Sequence, residues 1–393
     1  VPKVGDVEDL INDAEVGRDV FIFDVSGSGV IADFLSTRGF PVLGGSILAD
    51  RLERDRCFGY AVMAESDIEI PETKSFTSFE KAQEFVTKNS AKRWVYKPSK
   101  LLGDLSCSHV SYDAEDMLRM LRSVERDTDL ATPEFELQAF EEGVALSTEL
   151  WFQRGQLVEQ LVNHTLERKE LMNGDIGPSG GCMGNLTWFC EGCRVCDVAK
   201  QLVPWCQAQG YHGMLDLNAI VAKRKIYGLE FTPRFGYDAT PTLLFELVRA
   251  GLGEFLEAAA GGQIGGIDVR SGFAGGVRVT IPPWPTEKHQ AESDIPIRGL
   301  TDNEIRDTYW YNVKRSSEDN SLVTAGAWGI VGLFNSHSSD PRRALDKPLD
   351  VIDRLKLKNK QYRTDLGKVF AQDLDKLEEL GVDVNVYASE QAR

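Results

Sequence analysis

The chain has 393 residues, 42% hydrophobic and 27% charged, and a net charge of −17. So much apolar material excludes a largely disordered chain, and the acidic excess disfavours nonspecific binding to nucleic acid or an anionic membrane. At about 150 residues per domain, two to three domains are expected. No apolar run approaches the roughly 18 residues of a membrane span. The acidic start lacks the apolar core of a secretory signal. A cytoplasmic protein is therefore expected, with its seven cysteines reduced.

In chain order, VFIFD (20–24) reads as a short buried strand, SGSG (26–29) as a turn, VIADFLSTRGF as a helix and FPVLGG (40–45) as a second strand. This is a βαβ unit of a parallel sheet. Its glycine-rich turn is either a plain tight turn or an anion cradle at a helix N-terminus. ILADRLERDRCFGYAVM (47–63) reads as one helix. A second α/β block follows: helix FEKAQEFVTK, strand RWVYKP (93–98), helix AEDMLRMLRSV and strand EFELQAF (134–140). A β-meander is expected over 148–163, then a glycine-rich loop, NGDIGPSGGCMG (173–184), and a helix over 196–209. GMLDLNAIV (213–221) and IYGLEFTPRF (226–235) read as strands, as do GVRVTIPPWP (276–285) and the region near 326–333. A charged helix is expected across 346–380, and IPPWPTEKHQAESD reads as a loop. There is no internal repeat.

The strands 213–221 and 226–235 flank a short turn, AKRK. A hairpin centred on Arg224 sets Asp216 opposite Thr232 and Asn218 opposite Glu230. Side chains alternate along a strand, so the four share one face. Such oxygen ligands suit Mg²⁺, although a solvated polar face has the same pattern and a one-residue slip would separate the set. The glycine-rich loop exposes backbone N–H groups that could approach phosphate or cover a site; as plain structure it is a long surface loop. Arg56, Lys97, Lys169 and Arg234 are separated cations. Lys97 ends a strand, where a point charge could meet a phosphate.

GDIGPSGGCMG (174–184) and GLEFTPRFGYDATPTL (228–243) carry a resemblance to the phosphoribosylamine–glycine ligases of the ATP-grasp superfamily. FPVLGGSILADRLERDRCF, VYKPSK, LQAFEEG and YRTDLG (362–367) support it. The resemblance implies an α/β (α+β) architecture in three parts. These are a shortened Rossmann-like piece over 1–65, a two-lobed ATP-grasp core over 66–260 and a small C-terminal α+β domain over 261–393. It implies ATP with Mg²⁺ or Mn²⁺, and a carboxylate activated as an acyl phosphate that an amine converts to an amide. The ligand partners are then small-molecule carboxylate and amine substrates of purine biosynthesis, with no nucleic acid or membrane, on a monomer or homodimer.

By the same resemblance, Lys97 matches the second ATP-phosphate lysine, and Arg56 falls where the first would be. Gln138, Ala139 and Phe140 match the hinge that meets adenine through backbone groups, and Gly180 and Gly181 belong to the glycine-rich lid. Glu149 stands as a ribose or metal contact. Glu230 matches the principal metal ligand, with Thr232 in place of an Asn and Asp216 compensating. Arg234 would neutralise phosphate or substrate carboxylate, and Lys169 lies near the substrate-loop lysine.

The departures bear on the substrate. No GSGGREHA-like turn precedes Val20, GLAAGKG is replaced by LLGDLSCSH (101–109), and RFGDPE by RFGYDA. They leave open a different carboxylate and amine, or a nucleotide-binding relative that works through protein contacts. Cys190, Cys193 and Cys196 have the C-x2-C-x2-C spacing of a Zn²⁺ or iron–sulfur site, with Cys182 and Cys206 nearby. No clear distal Cys or His pair completes them, so they read as small hydrophobes. His164 and His212 read as structural or solvated.

Overall fold

The computed structural model describes residues 11–98, 108–127, 134–286, 289–384 and 386. Of the segments singled out above, 1–10, 99–107 and 287–288 lie outside these.

The first βαβ unit forms as expected. β1 (Phe21–Ile22) pairs parallel with β2 (Val42–Leu43), joined by α1 (Gly29–Thr37). The single helix expected over 47–63 is instead two, α2 (Ile47–Arg54) and α3 (Arg56–Glu65). Asp55 between them is extended, and its carboxylate accepts from Phe58 N at 3.0 Å. Asp favours such a cap over a helix interior. The break places Arg56 at the first position of α3.

A four-stranded lobe follows, built from β3 (Thr73–Phe76), α4 (Phe79–Lys88), β4 (Trp94–Pro98), β5 (His109–Val110), α5 (Ala114–Asp127) and β6 (Phe135–Ala139). The order is β3-β6-β4-β5. The two helices cover one face. Phe79 and Phe76 stack on Phe135 with centroids 4.9 and 5.8 Å apart, beside buried Trp94, Met117 and Leu121.

The large sheet begins with β7 (Gly143–Gln153), β8 (Gln156–Leu157), β9 (Asn163–Met172) and β10 (Ile176–Phe189). Much of the glycine-rich segment expected as a loop is therefore strand. β9 supplies its ladder, with irregularities between Ile176 and Ser179 and between Ser179 and Gly184. Gly181, at φ +80°, takes a conformation that costs other residues strain. The helix expected over 196–209 is likewise two, α6 (Arg194–Lys200) and α7 (Val203–Gln209), with Pro204 in the first turn of the second.

β11 (Gly213–Ala222) and β12 (Ile226–Thr232) form the expected hairpin, followed by α8 (Ala239–Leu247) and α9 (Leu252–Gly261). β13 (Phe273–Thr280) and β14 (Ser293–Pro296) lead through α10 (Asp302–Asp307) to β15 (Tyr309–Trp310), β16 (Val313–Arg315), β17 (Leu322–Ala325) and β18 (Ile330–Ser338). The nine-stranded sheet runs β12-β11-β7-β9-β10-β13-β18-β15, with β8 on β7. It continues across residue 260 through the β10–β13 pair. The boundaries at 65/66 and 260/261 thus remain a proposal about domains.

The long charged helix is also divided, into α11 (Asp346–Arg354) and α12 (Leu366–Glu379). Between them lies fully buried Arg363. It donates to Asp365 at 2.9 and 2.8 Å and to Asp175 at 2.7 Å. Asp365 also accepts from Gly174 N at 2.8 Å. The YRTDLG segment therefore clamps the turn between β9 and β10.

A second buried cation ties β13 to the site. Arg278 makes two 2.7 Å hydrogen bonds to Asp238 and a third, also 2.7 Å, to the Gly180 carbonyl. Tyr311 Oη donates to the same carboxylate at 2.8 Å. Removing one partner of a buried pair strands the other charge. Arg278→Leu is expected to cost about 3–5 kcal/mol in urea unfolding. Arg278→Met with Asp238→Asn should recover part of that loss; equal or greater loss in the double variant would contradict the pairing.

Candidate active site

One face of the large sheet carries a band of polar side chains, because alternation on each strand sets every second residue there. β11 and β12 pair Asp216 with Thr232 and Asn218 with Glu230, the register expected from the turn. β7 and β11 then set Glu149 opposite Asp216 and Ser147 opposite Asn218. β9 adds Asn163 opposite Glu149 and Thr165 opposite Ser147. The band borders a cleft of about 640 Å³ lined by Arg56, Glu149, Glu167, Lys169, Gly181, Asp216, Glu230, Thr232 and Arg234, among others.

Hydrogen bonds hold the band in place. Asn218 Nδ2 donates to Asp216 Oδ2 at 2.9 Å and to Thr232 Oγ1 at 3.1 Å. Ser147 Oγ donates to Asn218 Oδ1 at 3.0 Å. Asn163 Nδ2 donates to Glu149 Oε2 at 2.6 Å. Asp216 Oδ1 is buried and has no hydrogen-bond partner. That orphaned carboxylate oxygen, beside Glu149, fits a divalent cation. The described carboxylates do not converge three at a time on one point. Mg²⁺ needs no such cage, since it commonly takes one or two carboxylates plus substrate phosphates.

The charges push each group differently. Burial raises the Glu149 carboxyl, Glu167 adds to the rise, and the bonds from Asn163 and Thr165 offset part of it, leaving about 7. Burial also raises Asp216 well above the carboxylate range, helped by Glu149 and Glu167. Glu230 goes the other way. Burial alone would raise it, but Lys97, Lys169, Arg56 and Arg234 outweigh that and hold it below its ordinary value. Glu230 and Lys169 are ringed by protein yet open to the water of the cleft. Burial lowers Lys97, with help from Arg56 and Lys169, to about 8, against the pull of Glu230. Lys169 is raised, because Glu167 and Glu230 outweigh its burial.

Other elements aim the cations. Lys97 lies opposite Glu136 on β4 and β6, and Arg56 Nε stands 3.9 Å from the same carboxylate. Arg234 Nε donates to Glu53 Oε1 at 3.0 Å, so its charge is partly met from α2. Gly180 is walled in: a Cβ there would lie 2.6 Å from Met183 Sδ and 3.2 Å from Trp284 Nε1.

The residues matched to the hinge do not join this cleft. Gln138 is buried, donating to Thr73 Oγ1 at 2.9 Å and Tyr60 Oη at 3.2 Å. Ala139 and Phe140 line a separate hollow with Glu72, Lys92 and Arg93. Their backbone N–H groups already donate to Glu72 O at 2.8 Å and Arg93 O at 3.0 Å. Sequence reasoning missed Glu167. The alternation in ERKE (167–170), which turns Glu167 and Lys169 to one face, could have found it.

Residues 54–240 match the family described as phosphoribosylglycinamide synthetase, ATP-grasp (A) domain. A phosphoribosylamine–glycine ligase of Leifsonia xyli is 27% identical over 350 residues, 86% of this chain and 81% of the relative. The chain is an ATP-dependent carboxylate–amine ligase similar to the phosphoribosylamine–glycine ligases. A second such relative, from Streptomyces coelicolor, is 25% identical over 86% of this chain and 80% of its own length. Two solved structures share the ATP-grasp ligase's fold. The phosphoribosylamine–glycine ligase of Thermotoga maritima superposes with a TM-score of 0.68 at 20% identity, over 93% of this chain and 89% of that one. The biotin carboxylase of Campylobacter jejuni gives 0.58 at 13%, over 89% and 77%. No helix among the described residues is long and apolar enough to cross a membrane.

The Glu149 shift has a sign. With its carboxyl raised from 4.5 to about 7 on folding, its contribution is fully present below the lower value. It is lost as pH climbs through the upper one, by at most about 3 kcal/mol. Glu149→Gln should flatten this decline in urea unfolding between pH 5 and 8, and Mg²⁺ should flatten it in the unaltered protein. Identical profiles for the variant and the parent would contradict the assignment.

Proposed function

We propose that this ligase joins glycine to phosphoribosylamine, with ATP converted to ADP and phosphate. The observation that carries the reading is the meeting of Glu230 with Lys97, Lys169, Arg56 and Arg234 across from Asp216 and Glu149. On a chain of net charge −17, a triphosphate needs such a local cluster of cations.

The substrate carboxylate attacks the γ-phosphorus, and the bond to the β–γ bridging oxygen breaks, releasing ADP. The amine then attacks the acyl carbon, the C–O bond to phosphate breaks, and the amine proton leaves to solvent or a carboxylate of the cleft. Lys97 and Arg56 meet phosphate oxygens, where they are prepositioned by Glu136. Arg234, steadied by Glu53, and Lys169 orient the carboxylate being activated. A divalent cation, Mg²⁺ or Mn²⁺, held by Glu230 and Asp216 with Glu149 beside them, would neutralise charge building on the phosphates. Thr232 is the weaker donor, because its oxygen also accepts from Asn218. Gly181 borders the cleft from β10, with Gly180 packed behind it against Met183 and Trp284, and the pair help to keep water from the acyl phosphate, which it would hydrolyse.

Cytoplasmic location follows from this metabolic reading. A different carboxylate or amine remains the second reading, because Thr232 and Tyr237 depart from the family pattern at the edge of the cleft.

The test is a mass-spectrometric product assay with Mg-ATP, glycine and freshly generated phosphoribosylamine. Glycinamide ribonucleotide should appear with equal ADP, and Glu230→Ala should reduce it by about 10²-fold or more. ATP binding with no amide product would overturn the substrate assignment and leave the ligase chemistry to be tried on other carboxylates and amines.

A further inference from the structure

On the reverse face of the sheet, behind the cleft, three cysteines and a histidine meet. His164 lies on β9 between Asn163 and Thr165, and alternation turns it away from them. Cys190 follows the last residue of β10, its N–H bonded to Val162 O at 2.8 Å. Cys193 caps α6, and Cys196 is in its first turn. The ligand-capable atoms of all four lie within 4.8 Å of one another. His164 Nε2 is 3.1 Å from Cys193 Sγ and 3.3 Å from Cys196 Sγ, and Cys196 Sγ is 3.0 Å from Cys190 Sγ. All three cysteines are free.

We propose that His164, Cys190, Cys193 and Cys196 bind one structural Zn²⁺. The donor set is the Cys₃His type of closed structural sites, and Zn²⁺ takes four such ligands tetrahedrally. Sulfurs about 2.3 Å from the ion stand about 3.8 Å apart in a tetrahedron, so a small outward shift of these thiols admits it. The four donors are too close together to enclose the several iron atoms of a cluster.

The surroundings match the demands of a zinc ligand shell. His164 Nδ1 faces Thr148 Oγ1 at 2.9 Å, which leaves Nε2 to point at the sulfurs. Such a bond fixes the tautomer and the ring orientation of a metal-bound imidazole. Cys196 N donates to Cys193 Sγ at 3.4 Å, a contact that favours the thiolate a metal requires. Trp188 packs beside the imidazole, with centroids 5.5 Å apart. His164, Cys190 and Cys196 are buried, and Cys193 is half-buried, which provides an entry path. With four protein donors completing the tetrahedron, no coordination position is left open, as in structural sites.

Its consequence reaches the other face. The same β9 residues that flank His164 hydrogen-bond Glu149. The ion therefore pins the strand that also carries Glu167 and Lys169 to the start of α6.

The test is metal analysis of the full chain purified from zinc-supplied medium without added chelator. One Zn²⁺ per chain is expected, with an absorption edge and ligand shell of three sulfurs and one nitrogen. Cys193→Ser and His164→Gln should lower the zinc content, while Cys57→Ser, at an exposed thiol outside the cluster, should not. Because those variants could fail to fold, the unaltered protein is also exchanged with Co²⁺. Tetrahedral thiolate coordination should give visible d–d bands and near-ultraviolet charge transfer. Zinc-free protein that shows no such bands with Co²⁺ would overturn the proposal. So would bound iron, or an intact mass two hydrogens lighter that reductant restores, which would mark a disulfide.

Discussion

Four carboxylates on one face of one sheet are the constraint on which this molecule turns. Glu149, Glu167, Asp216 and Glu230 stand on adjacent or near-adjacent strands around a shared cleft. Burial raises the first three, with neighbouring carboxylates adding to the rise: Glu167 on Glu149, Glu149 and Glu167 on Asp216, and Asp238 on Glu167. Only Glu230, facing Lys97, Lys169, Arg56 and Arg234, is held below its ordinary value. The face therefore sets one acid whose charge is favoured beside three whose charge is disfavoured. That division of charge suits the proposed reaction, in which a triphosphate and a divalent cation would meet before any bond is made.

Holding such a face costs stability elsewhere, and buried cations beyond the cleft supply the restraint. Arg363 closes the turn between β9 and β10 through Asp175 and Asp365. Arg278 holds the Gly180 carbonyl while paired with Asp238. Both arginines come from the last third of the chain, so that region shapes the site although the cleft-lining residues all lie before it. β9 is the common element. Its front carries Asn163, Glu167 and Lys169, its back carries His164, and its end is gripped by Arg363.

Much of the cleft was legible in the linear order of residues. The hairpin register followed from a short polar turn between two strands of alternating pattern, and Asp216, Asn218, Glu230 and Thr232 took the expected partners. Helix boundaries were less legible. Asp55, Pro204 and buried Arg363 each divide what periodicity presents as one helix. The glycine-rich segment looked like a loop because glycine favours turns, yet the β9 ladder draws it into a strand with bulges. Gln138 and Ala139 kept the expected strand, with Phe140 just beyond it, and Ala139 and Phe140 line a separate hollow with their backbone donors spent on Glu72 and Arg93.

What the sequence by itself determined was local: which residues alternate, where a turn reverses the chain, and which stretches resemble an ATP-grasp ligase. Period-two patterning sets the face of a side chain without knowledge of anything distant. Only the tertiary structure decided which distant faces meet. His164 lies 26 residues before Cys190 and has no ligand spacing to announce it. It reaches the thiols because β9 and β10 pair antiparallel and bring Asn163 opposite Phe189, one step from each of them. Glu149 likewise became the neighbour of Asp216 through the pairing of β7 with β11. Strand pairing between remote segments is set by the packing of the whole sheet, and no short window of sequence contains it.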